Sequence, residues 1–214
     1  MKSLKVPFSS KLGLLSNDQI VEKLLDKAVP QSINQLNWPD LFSFETETSF
    51  HIARDEHSLF IYYTAHDTYL KAVCSEDLQP VWKDSCVEFF VQIPGENHYF
   101  NFEFNCIGVC LAAKRESRSQ FSYLTENELN QIKRTSNLTA APFEEKEGDF
   151  NWNLLVSIPF SLIGLDGANL HEKIRANFYK CGDETSVPHY LSWSPIETPT
   201  PDYHRPEFFG EIYF

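Results

Sequence analysis

Between Ser16 and Val29 the apolar residues Ile20, Leu24 and Leu25 recur at helical spacing, behind a Ser-Asn-Asp start and ahead of Pro30. That spacing predicts one short amphipathic helix. From Thr48 the period changes to two: FHIARD, SLFIYYTAHD and YLKAVCS read as strands separated by charged or turn-forming residues. The clearest alternation lies in Cys86 to Ile93 and Tyr99 to Cys106, joined by Pro94-Gly95-Glu96-Asn97-His98. These two runs should pair antiparallel across a hairpin. Strand side chains alternate, so Val87, Phe89, Val91 and Ile93 share one face, and Phe100, Phe102 and Phe104 share the matching one. Those faces are predicted core. The opposite faces carry Glu88 and Gln92 on the first strand and Asn101, Glu103 and Asn105 on the second. This predicts a polar ladder on the solvent side of a sheet, where repeated Asn is out of keeping with strand preferences.

Farther along, GVCLAAK extends the strands, and Thr125 to Arg134 opens with the Thr-x-x-Glu of a capping box, predicting a second short helix. NWNLLVSIPF turns Trp152, Leu154, Val156 and Ile158 to one side; KIRANFYKCG, HYLSWSP and EFFGEIYF supply further β segments. Trp193 also lies in an alternating run and joins Trp152 as predicted core, while Trp38 in LNWPD reads either way. Many short strands with interposed loops predict an all-β fold, an antiparallel β-sandwich of the jelly-roll or immunoglobulin-like kind with short N-terminal and inserted helices. Residues 1–214 read as one domain, with 1–47 as an N-terminal helical extension.

Composition narrows the function classes. The net charge is -12, with Lys and Arg scattered, so neither a phosphate backbone nor an anionic bilayer is an expected partner. No apolar run approaches the roughly 20 residues of a spanning helix. The N-terminus lacks the apolar stretch and small-residue cleavage site of a signal peptide, so a cytoplasmic location is expected. The 5 cysteines, Cys74, Cys86, Cys106, Cys110 and Cys181, include no CxxC pair and read as small buried hydrophobes in a reducing compartment.

The 8 glycines are too dispersed for a phosphate-cradling loop, and neither GxSxG nor HExxH occurs. His189 and His204 read as hydrogen-bonding loop or core residues, and no cofactor is expected. Glu88 and Glu103 stand where they can face each other across the hairpin, a pairing that glycoside hydrolysis also uses. Sugar recognition needs flat aromatic surfaces beside planar amides, carboxylates and guanidinium groups. Trp82, in the loop-like QPVWKDS, and Tyr203, in the proline-stiffened TPTPDYHRPEFFG, are the candidate rim aromatics. Glu88, Asn101, Glu103, Asn105 and Asn177 are the candidate hydrogen-bonding groups.

The ordered segments WKDSCVEFFV, YFNFEFNCIG, NWNLLVSIPFSLIG, NFYKCGD, LSWSPI and PDYHRPEFFG resemble the family 9 carbohydrate-binding module over Thr48 to Phe214, above all a stand-alone Bacteroidetes branch. The resemblance implies a sugar held between two aromatic rings, matching Trp82 and Tyr203, with Glu88 among the polar contacts. The family has Trp where Tyr203 stands, and its sugar-contacting Arg has no counterpart in YFNFEFN; Arg115 or Arg118 is the substitute. Structural calcium occurs in the family, but no ligand set carries over to this chain, which leaves the metal question open. The expected function is therefore non-catalytic binding of a mono- or oligosaccharide. A glycoside-processing enzyme using Glu88 and Glu103 and a protein-interaction module are the alternatives. The cysteine reading gives a direct test: thiol titration after denaturation without reductant should count all 5 cysteines as free, and a lower count in a sample kept from air refutes it.

Overall fold

The computed structural model describes residues 2–44 and 46–214. In chain order the strands are β1 (Ser3–Lys5), β2 (Gln31–Ser32), β3 (Gln35–Leu36), β4 (Glu47–Arg54), β5 (Ser58–Ala72), β6 (Cys86–Gln92) and β7 (Tyr99–Asn105). They continue with β8 (Cys110–Arg115), β9 (Phe121–Tyr123), β10 (Lys133–Ser136), β11 (Phe143–Pro159), β12 (Lys173–Cys181), β13 (Tyr190–Ser192) and β14 (Gly210–Tyr213). Two helices, α1 (Asn17–Lys27) and α2 (Glu126–Leu129), interrupt them. The large sheet runs β1-β14-β12-β6-β7-β8-β9, with β13 on β12 and β3 on β13; the small sheet runs β10-β11-β5-β4-β2. The fold is thus the expected β-sandwich, departing from antiparallel pairing where β1 lies parallel to β14 and where Phe8 bridges Arg54 in parallel.

The alternation that predicted the hairpin also sets its register. Glu88 pairs with Glu103 and Val91 with Phe100. Val87, Phe89, Val91, Phe100, Phe102 and Phe104 all enter the core between the sheets. There Phe178 of β12 stacks on Phe50 of β4, with ring centroids 3.6 Å apart. Trp152 and Trp193 are buried in the same core, as their positions predicted.

Several local expectations are corrected by packing. SLFIYYTAHD and YLKA form one 15-residue strand, β5, paired along most of its length with β11. α1 has the expected Ser16 cap, reinforced by Gln19, and buries Ile20 and Leu24, but Leu25 faces solvent. Thr125 and Glu128 do form a capping box, yet α2 ends at Leu129, and Lys133 to Ser136 instead joins the edge of the small sheet. Residues 2–44 are built into the sandwich: β1 and β3 join the large sheet, β2 the small one, and α1 packs on Ala53, Phe60 and Leu155. Among the described residues no helix is long and apolar enough to cross a membrane.

A buried ion pair spans the sheets. Lys180 of β12 approaches Asp67 of β5 at 3.1 Å, and both are essentially inaccessible. Lys180 Nζ also donates to His189 Nε2 at 2.8 Å and to the Cys181 carbonyl at 3.2 Å, while Trp152 Nε1 donates to Asp67 at 2.8 Å. Burial, followed by the charge of Lys180, pushes the His189 pKa down to about 3, so its ring is neutral and accepts that bond. Removing one partner strands the other charge without water. Asp67→Asn should lower the unfolding free energy by about 3–5 kcal/mol in urea titrations, and pairing Asp67→Leu with Lys180→Met should recover part of the loss. A single-variant cost within about 0.5 kcal/mol, the range of an ordinary surface change, would contradict this assignment.

Candidate functional site

The polar ladder predicted for the solvent side of β6 and β7 is buried except at Gln92, which is only half-buried at the strand end. Glu88, Asn101, Glu103, Asn105 and Asn177 are all at most 3% exposed. Their face also carries Cys86, Phe90, Tyr99, Leu111, Tyr179 and Cys181, and these form a second hydrophobic core with Trp38, Val81, Ile196, Tyr203 and Phe209. The segment after β13 supplies much of the cover, tied down where Trp38 Nε1 donates to the Thr198 carbonyl at 2.7 Å.

The cover is incomplete over the centre of the sheet. A cleft of about 280 Å³ opens there, floored by Glu88, Glu103 and Cys181 and walled by Trp82, Arg115, Arg118, Phe121, Tyr123, Asp183, Tyr190, Asp202, Tyr203 and His204. Five predicted residues, Trp82, Glu88, Glu103, Arg118 and Tyr203, meet at this cleft, whereas Asn101, Asn105 and Asn177 do not line it. Asn105 binds the Cys74 carbonyl, the Asp84 carboxylate and the Val109 amide. Asn177 is likewise occupied by the Ser194 carbonyl and the Phe178 and Ser194 amides. Both are structural, because their hydrogen-bonding capacity is spent on the chain that covers them. Asn101 lies beneath the cleft, accepting from Arg115 Nε at 2.6 Å and donating to Glu103 Oε1 at 2.7 Å, and so positions both groups.

Tyr203 is not a free clamp opposite Trp82. Its ring lies flat on Tyr179, with centroids 4.0 Å apart and an angle of 10°, and its hydroxyl donates to the carbonyls of Lys180 and Leu191. It forms a fixed wall with one edge in the cleft. Trp82 sits in a 3-10 turn, Val81–Lys83, whose Trp82 carbonyl accepts from the Asp183 amide. Its ring is half-buried, packed partly on the second core and partly open to the cleft. The more open aromatics are Phe121 and Tyr123 on edge strand β9, 40% and 45% exposed, with the Arg115 guanidinium 4.2 Å over Phe121. Their i, i+2 spacing on a short polar strand was a legible signal that the run-by-run reading missed. Asp183 was legible too: the alternation Asn177, Tyr179, Cys181 places it on the same side.

Electrostatics set the floor's chemistry. Glu88 and Glu103 are cross-strand neighbours without bulk water. Burial, then the charge of Glu103, pushes the Glu88 carboxyl well above the usual range. Burial raises Glu103 to about 7, against the opposing pull of Arg115 and the hydrogen bond from Asn101. Burial also lifts Asp183 to about 6. Near neutrality Glu88 and Glu103 therefore titrate as a pair sharing protons. Cys86, Glu88 and Cys181 bring their ligand atoms within 4.8 Å of one another. Two thiols and one carboxylate are a soft donor set that does not match calcium's demand for about six to eight oxygens.

Comparison with known proteins identifies the family and the fold. The model of carbohydrate-binding family 9 matches residues 18–214, which takes in α1 as well as the segments from Thr48 onward. A crystal structure from Bacteroides uniformis, described as a candidate carbohydrate-binding protein, is 34% identical with a TM-score of 0.92, covering 100% of this chain and 99% of that one. Two structures of a family 9 carbohydrate-binding module from Caldicellulosiruptor kristjanssonii, in complex with glucose and with cellotriose, share the fold at 12% identity and a TM-score of 0.62. They cover 99% of this chain and 95% and 93% of their own. A comparison with curated proteins finds no match. With the family model spanning both helices and both sheets, the chain belongs to carbohydrate-binding family 9.

Proposed function

We propose that this protein binds a mono- or oligosaccharide in the cleft above Glu88 and Glu103 without transforming it. The observation that carries the reading is the combination in one cleft of aromatic walls, Trp82, Phe121 and Tyr123, with a rigid floor of carboxyl acceptors. Aromatic faces meet the C–H surfaces of a pyranose, and carboxylates accept from its hydroxyls. The floor lies on central strands, so little is ordered on binding and preorganisation favours affinity.

The same geometry argues against glycoside hydrolysis. Glu88 and Glu103 rise side by side from one sheet face, so a sugar resting on them meets both from one side. Hydrolysis uses carboxyl groups that flank the scissile bond. The ligands of the Caldicellulosiruptor module, glucose and cellotriose, are natural first members of a binding panel for this chain.

Two measurements test the proposal. Trp82→Ala should weaken sugar binding by calorimetry at least about tenfold, equivalent to about 1.4 kcal/mol. Because the ring is only half-buried, its stability cost should be about 1–2 kcal/mol, between a surface change and a core truncation. Intact affinity alongside a core-sized stability loss would remove Trp82 from the site. The second measurement is pH dependence. A ligand that prefers the ionised floor pulls a proton off Glu103, whose unliganded pKa is about 7. Affinity should therefore rise as pH increases through that value and level off above it, with proton release measurable in buffers of different ionisation enthalpy. A flat profile from pH 5 to 8 would show that the carboxyl floor does not contact the sugar.

A further inference from the structure

The ionisable groups around the cleft do not pair off. Among the described residues its lining holds four carboxyls, Glu88, Glu103, Asp183 and Asp202, against two guanidinium groups, Arg115 and Arg118. Both cations are already engaged. Arg115 donates from Nε to Asn101 and from Nη1 to the Arg118 carbonyl, with its plane against Phe121. Arg118 stands 3.7 Å from Asp202. His204 adds no charge, since burial and then Arg115 and Arg118 push its pKa down to about 3.

Glu88, Glu103 and Asp183 are left without an ion-pair partner among the described residues. Glu103 Oε1 is held by Asn101, but among the described residues its Oε2 has no hydrogen-bond partner, although the residue is 3% exposed. Glu88 has a weak donor, the Cys181 thiol at 3.2 Å. A buried carboxyl oxygen facing a cleft with nothing to accept from is costly, and a ligand supplying a donor removes that cost.

Resting on the sugar reading of this cleft, we infer that the preferred ligand is an amino sugar whose protonated amine sits over Glu88, Glu103 and Asp183. An ammonium carries three donors on one charged centre, which suits a cleft lined by carboxyls from two paired strands, Glu88 and Glu103, and from the turn after β12, Asp183. A hydroxyl at the same place offers one donor and no charge. An N-acetylated amine has lost the charge, and a uronic acid or sugar phosphate adds a like charge to the floor. The raised pKa values of Glu88, Glu103 and Asp183 are the counterpart of the missing cation.

The test is calorimetry at neutral pH and low salt with glucosamine, glucose, N-acetylglucosamine and ethanolamine. Glucosamine should bind about tenfold tighter than glucose or N-acetylglucosamine, the size of one charge-assisted hydrogen bond. Ethanolamine should bind more weakly than glucosamine, because it lacks the ring that the aromatic walls contact. In Glu103→Gln, and independently in Asp183→Asn, the glucosamine-to-glucose ratio should fall toward one, with circular dichroism confirming that each variant is folded. Equal affinities for glucose and glucosamine in the parent protein overturn the inference and leave the sugar site standing. Ethanolamine matching glucosamine also overturns it, by reducing the site to a bare amine pocket. Silence toward all three sugars withdraws the sugar reading and this inference together.

Discussion

The central strands β6, β7 and β12 of the large sheet are buried on both faces along most of their length, and the polar side chains on their covered outer face have to be satisfied without bulk water. That requirement sorts the ladder of β6, β7 and β12 into two groups. Asn105 and Asn177 are saturated by backbone groups of the covering chain and hold that chain in place. Glu88 and Glu103 lie where the cover is missing and keep unspent acceptor capacity, at a cost of about 1–3 kcal/mol for each group left unpaired. The proposed binding site is thus the part of a buried polar face that the fold leaves uncompleted.

Adjacent residues on β12 show how differently two sides of one strand are used. Lys180 points between the sheets, where Asp67, His189 and the Cys181 carbonyl occupy its donors. Tyr179 and Cys181 point the other way, into the second core and the cleft floor. The ionisable groups on the inner side are paired, whereas Glu88, Glu103 and Asp183 on the outer side have no ion-pair partner among the described residues. A matched buried pair is weak evidence for function, whereas unmatched buried carboxyls beside an opening have a physical reason to attract a ligand.

The cleft also depends on segments that are remote in sequence. Trp82 comes from the turn before β6, Phe121 and Tyr123 from the far edge strand, and Tyr203 from the tail before β14. Stacking of Tyr203 on Tyr179 and the Trp38 to Thr198 hydrogen bond pin the tail across the sheet. The floor is rigid because it is central sheet, and the walls are held by contacts made only when all these segments have folded.

Much of this was legible in the sequence by itself. Period-two alternation determined β6 and β7, their inward Phe and Val faces and the pairing of Glu88 with Glu103, because a strand has only two sides and a hairpin has few registers. The capping residues Ser16 and Thr125 marked the true starts of both helices. The ordered motifs pointed to the family and to Trp82, Glu88 and Tyr203, the hairpin alternation added Glu103, and Arg115 or Arg118 was the substitute guanidinium; all of these line the cleft. Alternation says which residues share a face, but not what lies on that face. A sheet's second side reads the same whether water or a folded tail covers it, so the sequence alone predicts an exposed ladder, a free Tyr203 platform, and Asn105 and Asn177 as ligand contacts. Only the tertiary structure decided those points, because burial of the outer face arises from contacts between Trp38, Tyr179, Tyr203 and Phe209, far apart in the chain and invisible to any local period.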